Sequence, residues 1–231
     1  MKASDESQLY RGTFLQRVWR DFSFIAQKRT LLSPPTKPIF DKETMALFND
    51  LITAPETKAY LEFGAGGATL LAAQHVEFLI SVESDRLYRD LVRSSVEALE
   101  TGAETHLLHG DFGITAGWGK PLFKLNGYSF SGKNYVNAPW ALIEQKQRKI
   151  DFVLVDGRYR AACACKALMS PSASNAVILL DDFSDRPEYH GVLDFADVLE
   201  RPGRSVLLRR KSDFDAEACE KFLQKHLYCY M

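Results

Sequence analysis

No stretch of this chain approaches the roughly 18 consecutive apolar residues that a membrane-spanning helix requires. The opening residues, Met1 to Gln8, are polar and acidic and lack the basic-then-apolar layout of a secretory signal. Charge bias is missing as well. Lys and Arg number 29 against 30 Asp and Glu, so nothing global draws the chain to nucleic acid or to an anionic membrane. Cysteine is scarce, with four in all, and the spacing suits neither a zinc site nor a disulfide framework. Cys163 and Cys165 form C-x-C, while Cys219 and Cys229 stand far off, and all four are expected to be small buried side chains. Internal repeats and low-complexity tracts are also missing. What remains is ordinary globular composition in a 231-residue chain long enough for one sizeable core. The expectation is a soluble cytoplasmic protein that partners a small molecule rather than nucleic acid or membrane, with a homodimer left open.

The first third has helical periodicity. Leu9, Phe14, Leu15, Val18, Trp19, Phe22 and Ile25 recur close to a period of 3.6 residues, which predicts a helix. Pro34, Pro35 and Pro38 then interrupt it, since proline removes a donor and restricts its predecessor. Asp41 is placed to cap a second helix carrying Met45, Leu47, Phe48, Leu51 and Ile52. Residues 1–55 thus read as helical decoration on the core, and residues 56–231 as the main domain.

Beyond Lys58 the pattern changes. Short apolar runs at residues 59–63, 78–82, 105–109, 150–155, 176–180 and 205–208 alternate with amphipathic stretches such as 86–99 and 159–169. That alternation predicts an α/β fold: a Rossmann-like, doubly wound, mostly parallel sheet covered on both faces. A helix is also predicted from about Asp215, with residues 227–230 as a weak last strand. In such sheets ligands bind beyond the carboxyl ends of the strands, where strand order switches direction.

The residues after each strand are rich in Gly, Asp and Glu. The first strand leads into Glu62-Phe63-Gly64-Ala65-Gly66-Gly67-Ala68-Thr69, a turn whose backbone can approach a ligand at a helix N-terminus. It fits the dinucleotide fingerprint poorly, because Thr69 stands where a third glycine is expected. The second strand ends in Val82-Glu83-Ser84-Asp85. Glu83 lies 19 residues beyond Gly64, near the spacing at which an acid reaches a ribose diol, while Asp85 is placed to cap the next helix. Asp111 and Phe112 follow the third strand, placed to meet an adenine amino group and ring. Asp156 ends the fourth, and Asp181 and Asp182 end the fifth.

Taken in order, E-x-G-x-G-G, V-E-x-D, G-D-F, D-F-V-L-V-D-G and L-L-D-D resemble the class I S-adenosylmethionine-dependent methyltransferases over residues 58–182. The resemblance implies a seven-stranded sheet. In it Glu62, Gly64, Ala65, Gly66, Gly67 and Thr69 would hold the methionine part, Glu83 and Ser84 the ribose, and Asp111 and Phe112 the adenine, with Asp156 a further cofactor contact. Within that superfamily, G-A-G-G-A-T-L-L with D-G-R-Y-R and L-L-D-D is similar to the metal-dependent O-methyltransferases of the catechol, caffeoyl-CoA and macrocin kind. That similarity implies Mg²⁺ on Asp156, Asp181 and Asp182, orienting an acceptor hydroxyl and lowering its pKa. Arg158 and Arg160 leave a second arrangement open, in which an arginine pairs with these acids and no metal is needed.

The implied activity is methyl transfer, by O-methylation of a small-molecule or sugar-containing acceptor. Asp156 and His190 are the candidate catalytic residues, with His109 a further candidate base. Residues 112–149, bearing Trp118, Phe123, Tyr128, Phe130, Tyr135 and Trp140 among glycines, read as a substrate lid. The basic run Arg201, Arg204, Arg209, Arg210 and Lys211 reads as a solvated strand end. Competing readings are an aminopropyltransferase-like enzyme, a non-catalytic nucleoside-binding protein and a nicotinamide-dependent reductase. The basic residues after Asp156 count against the first and Thr69 against the last.

Overall fold

The computed structural model of the chain describes residues 36–122, 124–125 and 128–230. The helix predicted over residues 9–25 lies outside the described residues. The strands are β1 (Ala59–Phe63), β2 (Phe78–Glu83), β3 (Glu104–His109), β4 (Lys124–Leu125), β5 (Tyr128–Ser129), β6 (Phe152–Val155), β7 (Val177–Leu180), β8 (Ala196–Glu200) and β9 (Val206–Arg210). The helices are α1 (Lys42–Thr53), α2 (Gly67–Ala72), α3 (Arg86–Glu97), α4 (Lys133–Asn137), α5 (Trp140–Gln145), α6 (Arg160–Met169) and α7 (Ala216–His226). A 3₁₀ helix spans Pro187–Asp194.

Seven strands form one sheet in the order β3-β2-β1-β6-β7-β9-β8. The first five in that order are parallel, and β9 runs antiparallel between β7 and β8. After β1 the chain moves outward to β2 and β3, then returns to place β6 on the other side of β1. The carboxyl ends of β1 and β6 therefore flank the point where strand order reverses, the ligand position in open α/β sheets.

Residue alternation explains why the central strands read as unbroken apolar runs. Leu61, Phe63, Ile80, Val82, Val153, Val155, Ile178 and Leu180 face one layer, with α6 and α7. Tyr60, Leu79, Phe152, Leu154 and Leu179 face the other, with α1 to α3. Both faces are buried, so both sets must be apolar. On the second face, α1 places Phe48 against Tyr60 and Phe152, with ring centroids 6.2 and 5.8 Å away. Asp41 caps that helix by accepting from the Thr44 amide at 2.8 Å. On the first face, α6 is nearly all buried because Ala161, Ala162, Cys163, Ala164, Cys165 and Ala167 let it sit between the sheet and α7. Cys163, Cys165 and Cys219 are buried thiols and Cys229 is half-buried.

Two sequence expectations need correction. The last strand of the sheet is β8, not residues 227–230. β8 escapes detection because it is an edge strand whose Asp197, Val198, Leu199 and Glu200 are exposed, so it carries no apolar run. Residues 227–230 instead follow α7 and brace loops, with Leu227 O accepting from the Gly132 amide at 2.6 Å. The second correction concerns residues 112–149, whose latter part is helical. α4 and α5 complete the crossover to β6. Tyr135 is buried, and Trp140 Nε1 donates to Val136 O at 2.9 Å, so these two rings anchor the crossover. Among the described residues no helix is long and apolar enough to cross a membrane.

Candidate cofactor site and acid cluster

At the end of β1 the chain turns through Gly64 at φ 106°, a backbone conformation that side-chain-bearing residues rarely adopt. Its amide donates to Val82 O at 2.9 Å, and the Asp156 amide donates to Phe63 O at 3.0 Å, which ties the turns after β1 and β6 together. Gly67 opens α2 directly beneath the backbone of Lys37 and Pro38, so the chain leading into α1 lies over this turn. Gly66 is different. Its φ of 176° is ordinary extended backbone, and a Cβ there would meet nothing nearer than the Tyr88 hydroxyl at 3.9 Å.

Beneath the turn runs a buried polar chain. Tyr60 and Thr69 both donate to the Glu62 carboxylate, the first at 2.8 Å, and Gly66 N donates to Thr69 Oγ1 at 2.8 Å. Thr69, standing where a dinucleotide fingerprint has glycine, is thus needed for its hydroxyl. Glu62 is fully buried, so it shapes the turn from below and presents no surface to a ligand. Burial pushes its carboxyl up to about 7, with the Thr69 and Tyr60 hydroxyls pulling the other way.

That shift fixes a sign. Between the ordinary value of 4.5 and about 7 the folded chain holds a proton that the unfolded chain has released. Stability from this group is therefore full below about 4.5 and lost as pH rises through about 7, a change on the order of 3 kcal/mol. Thermal melts from pH 5 to 8 should show a falling Tm, and Glu62→Gln should flatten the part of the slope between about 4.5 and 7. An unchanged slope in that variant would sink the buried-acid account.

At the end of β2, Glu83 is buried and aimed back at the turn. Its Oε2 accepts from Ala65 N at 3.2 Å, and Oε1 accepts from Ser84 Oγ at 3.0 Å and Asp85 N at 2.8 Å. Burial raises its carboxyl above the usual range, offset in part by the Asp85 amide and Ser84 hydroxyl. Asp85 caps α3, accepting from Leu87 N at 3.0 Å and Tyr88 N at 3.2 Å. Past β3, Asp111 is exposed and one carboxylate oxygen accepts from Gly113 N at 2.8 Å. Phe112 is committed to the core, its ring 5.7 Å from Tyr135 and 5.0 Å from Tyr159. The structure thus gathers the turn and Glu83 into one place, with Asp111 at the neighbouring strand end. It turns Glu62 and Phe112 inward.

Asp156, Asp181 and Asp182 do meet, and they close on arginine. Arg160, in the first turn of α6, sets Nη2 3.1 Å from Asp156 Oδ1 and Nη1 3.2 Å from Asp182 Oδ2 and 3.6 Å from Asp181 Oδ2. Arg204 approaches Asp182 Oδ1 at 3.0 Å, and Ser205 Oγ donates to Asp181 Oδ1 at 2.7 Å. Among the described residues no group of three or more His, Cys, Asp or Glu side chains is disposed to hold a metal ion. The donors that would suit Mg²⁺ are turned onto guanidinium groups, so the residues do not fit the metal. Asp156 keeps the most side-chain exposure of the three, 32% against 2% and 23%. Its carboxyl is pushed well above the aspartate range by withdrawal from water and by Asp181 beside it, with Arg160 opposing.

His190 lies in the 3₁₀ helix after β7. Its Nε2 is 3.0 Å from Phe183 O and its ring sits 4.6 Å from that of Phe183. His109 contacts Ser84 O at 3.2 Å, which spends its Nε2 on the backbone. Sequence reasoning missed the hydrogen-bonding roles of Tyr60, Ser205 and Tyr135, whose hydroxyl donates to Val82 O at 3.3 Å. Tyr60 had a signal, since it precedes Glu62 by two and so shares its face of β1. The other two depend on chain segments distant in sequence.

No protein-family model matches the chain, and no curated protein matches its sequence. Solved structures do match in fold. A methyltransferase-like protein from Silicibacter pomeroyi superposes with a TM-score of 0.68 at 24% identity, covering 84% of this chain and 98% of that one. An O-methyltransferase from Bacillus cereus in complex with SAH gives a TM-score of 0.50 at 14% identity, covering 90% of this chain and 96% of that one. With the strand order, the glycine turn after β1 and the acid after β2, these matches show that the chain has the class I S-adenosylmethionine-dependent methyltransferase fold.

Proposed function

We propose that the chain binds S-adenosylmethionine and transfers its methyl group to a hydroxyl of a small-molecule or sugar-containing acceptor. One observation carries the reading: Ala65 N, in the turn after β1, donates to Glu83 Oε2, at the end of β2, at 3.2 Å. The methionine-side turn and the ribose-side acid are thereby parts of one site at the switch point of the sheet. The residues fit the cofactor. The backbone at Gly66 has open space where a Cβ would stand, and Glu83 and Ser84 offer acceptors to the ribose hydroxyls. Asp111 stands exposed at the adenine end.

When bound, the cofactor supplies a methyl group on a cationic sulfur. What this chain adds is alignment: the laced turns after β1 and β6 hold Asp156 beside Gly64, so an acceptor over Asp156 lies next to the cofactor turn. Asp156, the most exposed of the three acids and raised in pKa, takes the acceptor proton.

Calorimetric titration with S-adenosylhomocysteine is the direct test, with NADH as control. Micromolar affinity for the nucleoside is expected, and Glu83→Gln should weaken it about tenfold by removing one ionised acceptor, about 1.4 kcal/mol. No binding by folded protein would remove the reading. Binding followed by no S-adenosylhomocysteine release across a panel of hydroxyl-bearing acceptors would leave a nucleoside-binding protein without turnover.

A further inference from the structure

Three carboxylates from two adjacent strand ends form a donor set whose chemistry suits a divalent cation. Here a side chain of the same polypeptide stands among them. We propose that the Arg160 guanidinium takes the position a divalent metal would hold between the ends of β6 and β7, so that the chain binds no metal ion there and Arg160 acts as a built-in cation that positions both strand ends.

The distances argue for it. Arg160 Nε donates to Gly157 O at 3.0 Å, Nη2 to Asp156 O at 3.2 Å, and Nη1 to Asp181 O at 2.6 Å. With the carboxylate contacts at 3.1, 3.2 and 3.6 Å, one group meets six oxygens from both strand ends. Four of them are hydrogen bonds, and the contacts with the Asp181 and Asp182 carboxylates are ion pairs. An octahedral Mg²⁺ would require oxygens at about 2.1 Å, whereas a planar fork of five N–H donors reaches acceptors at the distances found. The Arg160 side chain is only 6% exposed, so it is a fixed part of the interior and not a surface residue folded over a vacant site.

Charge and backbone agree. Asp182 faces Arg204 as well as Arg160, with Arg186 Nη2 3.8 Å away, and Asp181 lies 3.6 Å from Arg204 Nη2. Three acids therefore face three arginines, which leaves no surplus negative charge for a dication. Asp182 also holds a left-handed φ of 54°, a conformation that persists only where surroundings enforce it. Its paired carboxylate supplies that enforcement. Through Gly157 O the same guanidinium fixes the turn against which Gly64 packs, so Arg160 bears on the cofactor turn without touching a ligand.

Manganese binding by the full chain, followed by electron paramagnetic resonance of free Mn²⁺, tests this independently of methyl transfer. The wild-type chain is expected to leave the free signal undiminished into the millimolar range. Arg160→Ala should gain about one Mn²⁺ site per chain, and adding Asp182→Asn should abolish it. Arg160→Gln, which keeps a donor for the carbonyls and removes the charge, is the second variant should Arg160→Ala fail to fold, with the same gain expected. A wild-type Mn²⁺ site that Asp182→Asn destroys would overturn the proposal. So would a folded Arg160→Ala or Arg160→Gln chain that gains no site.

Discussion

Gly66→Ala is expected to melt within about 1 °C of wild type yet to bind S-adenosylhomocysteine about a hundredfold more weakly, close to 3 kcal/mol. The reason lies in what each glycine of the turn touches. Gly66 has an extended φ of 176°, open to any residue, and its missing Cβ points into space with only the Tyr88 hydroxyl at 3.9 Å. The fold does not require glycine there, but a ligand lying on that backbone does. Gly64 is the contrasting case. A Cβ would stand 2.8 Å from both Gly157 Cα and Gly157 N, backbone atoms that cannot swing aside, at a φ of 106°. Gly64→Ala should therefore cost stability as well, about 2–5 kcal/mol from strain and overpacking together. Thermal melts and calorimetry on both variants separate the roles. Full affinity in Gly66→Ala would mean that no ligand backbone or carboxylate lies on this turn.

How much of this was legible in the residues depends on how locally each feature is determined. β1 is legible at residues 59–63, where it lies, because a strand buried on both faces is apolar at nearly every position, Glu62 being the exception, and stops at its flanking turns. Apolar runs located β2, β3, β6, β7 and β9 to within two residues at each end, although β3 is mostly half-buried and β9 ends in two arginines. Patterning failed for β8, whose exposed edge carries Asp197 and Glu200, and for α4 and α5, helices of five and six residues too short to show a period. At the site, strand-end acids are visible because, although any one of them reads as a cap or a solvated turn residue, acids follow five successive strands. Their orientation is not. Whether Glu62 points to a ligand or to Thr69, and whether Asp156 and Asp182 close on a metal or on Arg160, is decided by side-chain packing across elements far apart in sequence. Both arrangements around Asp156 are written in D-G-R-Y-R, and the contact of Arg160 with two strand ends is not legible there.

Asp156→Asn is expected to lower kcat by two to four orders of magnitude while S-adenosylhomocysteine affinity stays within about threefold. Removing the proton from an acceptor hydroxyl needs a group at the strand ends with both basicity and access. Asp181 has 2% of its side chain exposed and gives its oxygens to Ser205, Arg160 and Arg204, so it is out of reach. Asp182 is clamped between Arg160 and Arg204. Asp156 pairs with Arg160, keeps the greatest exposure of the three, and has a carboxyl that burial and Asp181 push well above the usual aspartate range. Asparagine is the informative replacement because its carbonyl oxygen still accepts from Arg160, so the turn against Gly64 should survive and binding with it. His190→Ala is the comparison. With Nε2 on Phe183 O and its ring on that phenyl, His190 supports the segment after β7, and its loss should change kcat less than about threefold. Single-turnover rates on the first acceptor that releases S-adenosylhomocysteine decide between them. If His190→Ala carries the large loss and Asp156→Asn the small one, the proton leaves through the histidine, and Asp156 serves only to hold Arg160.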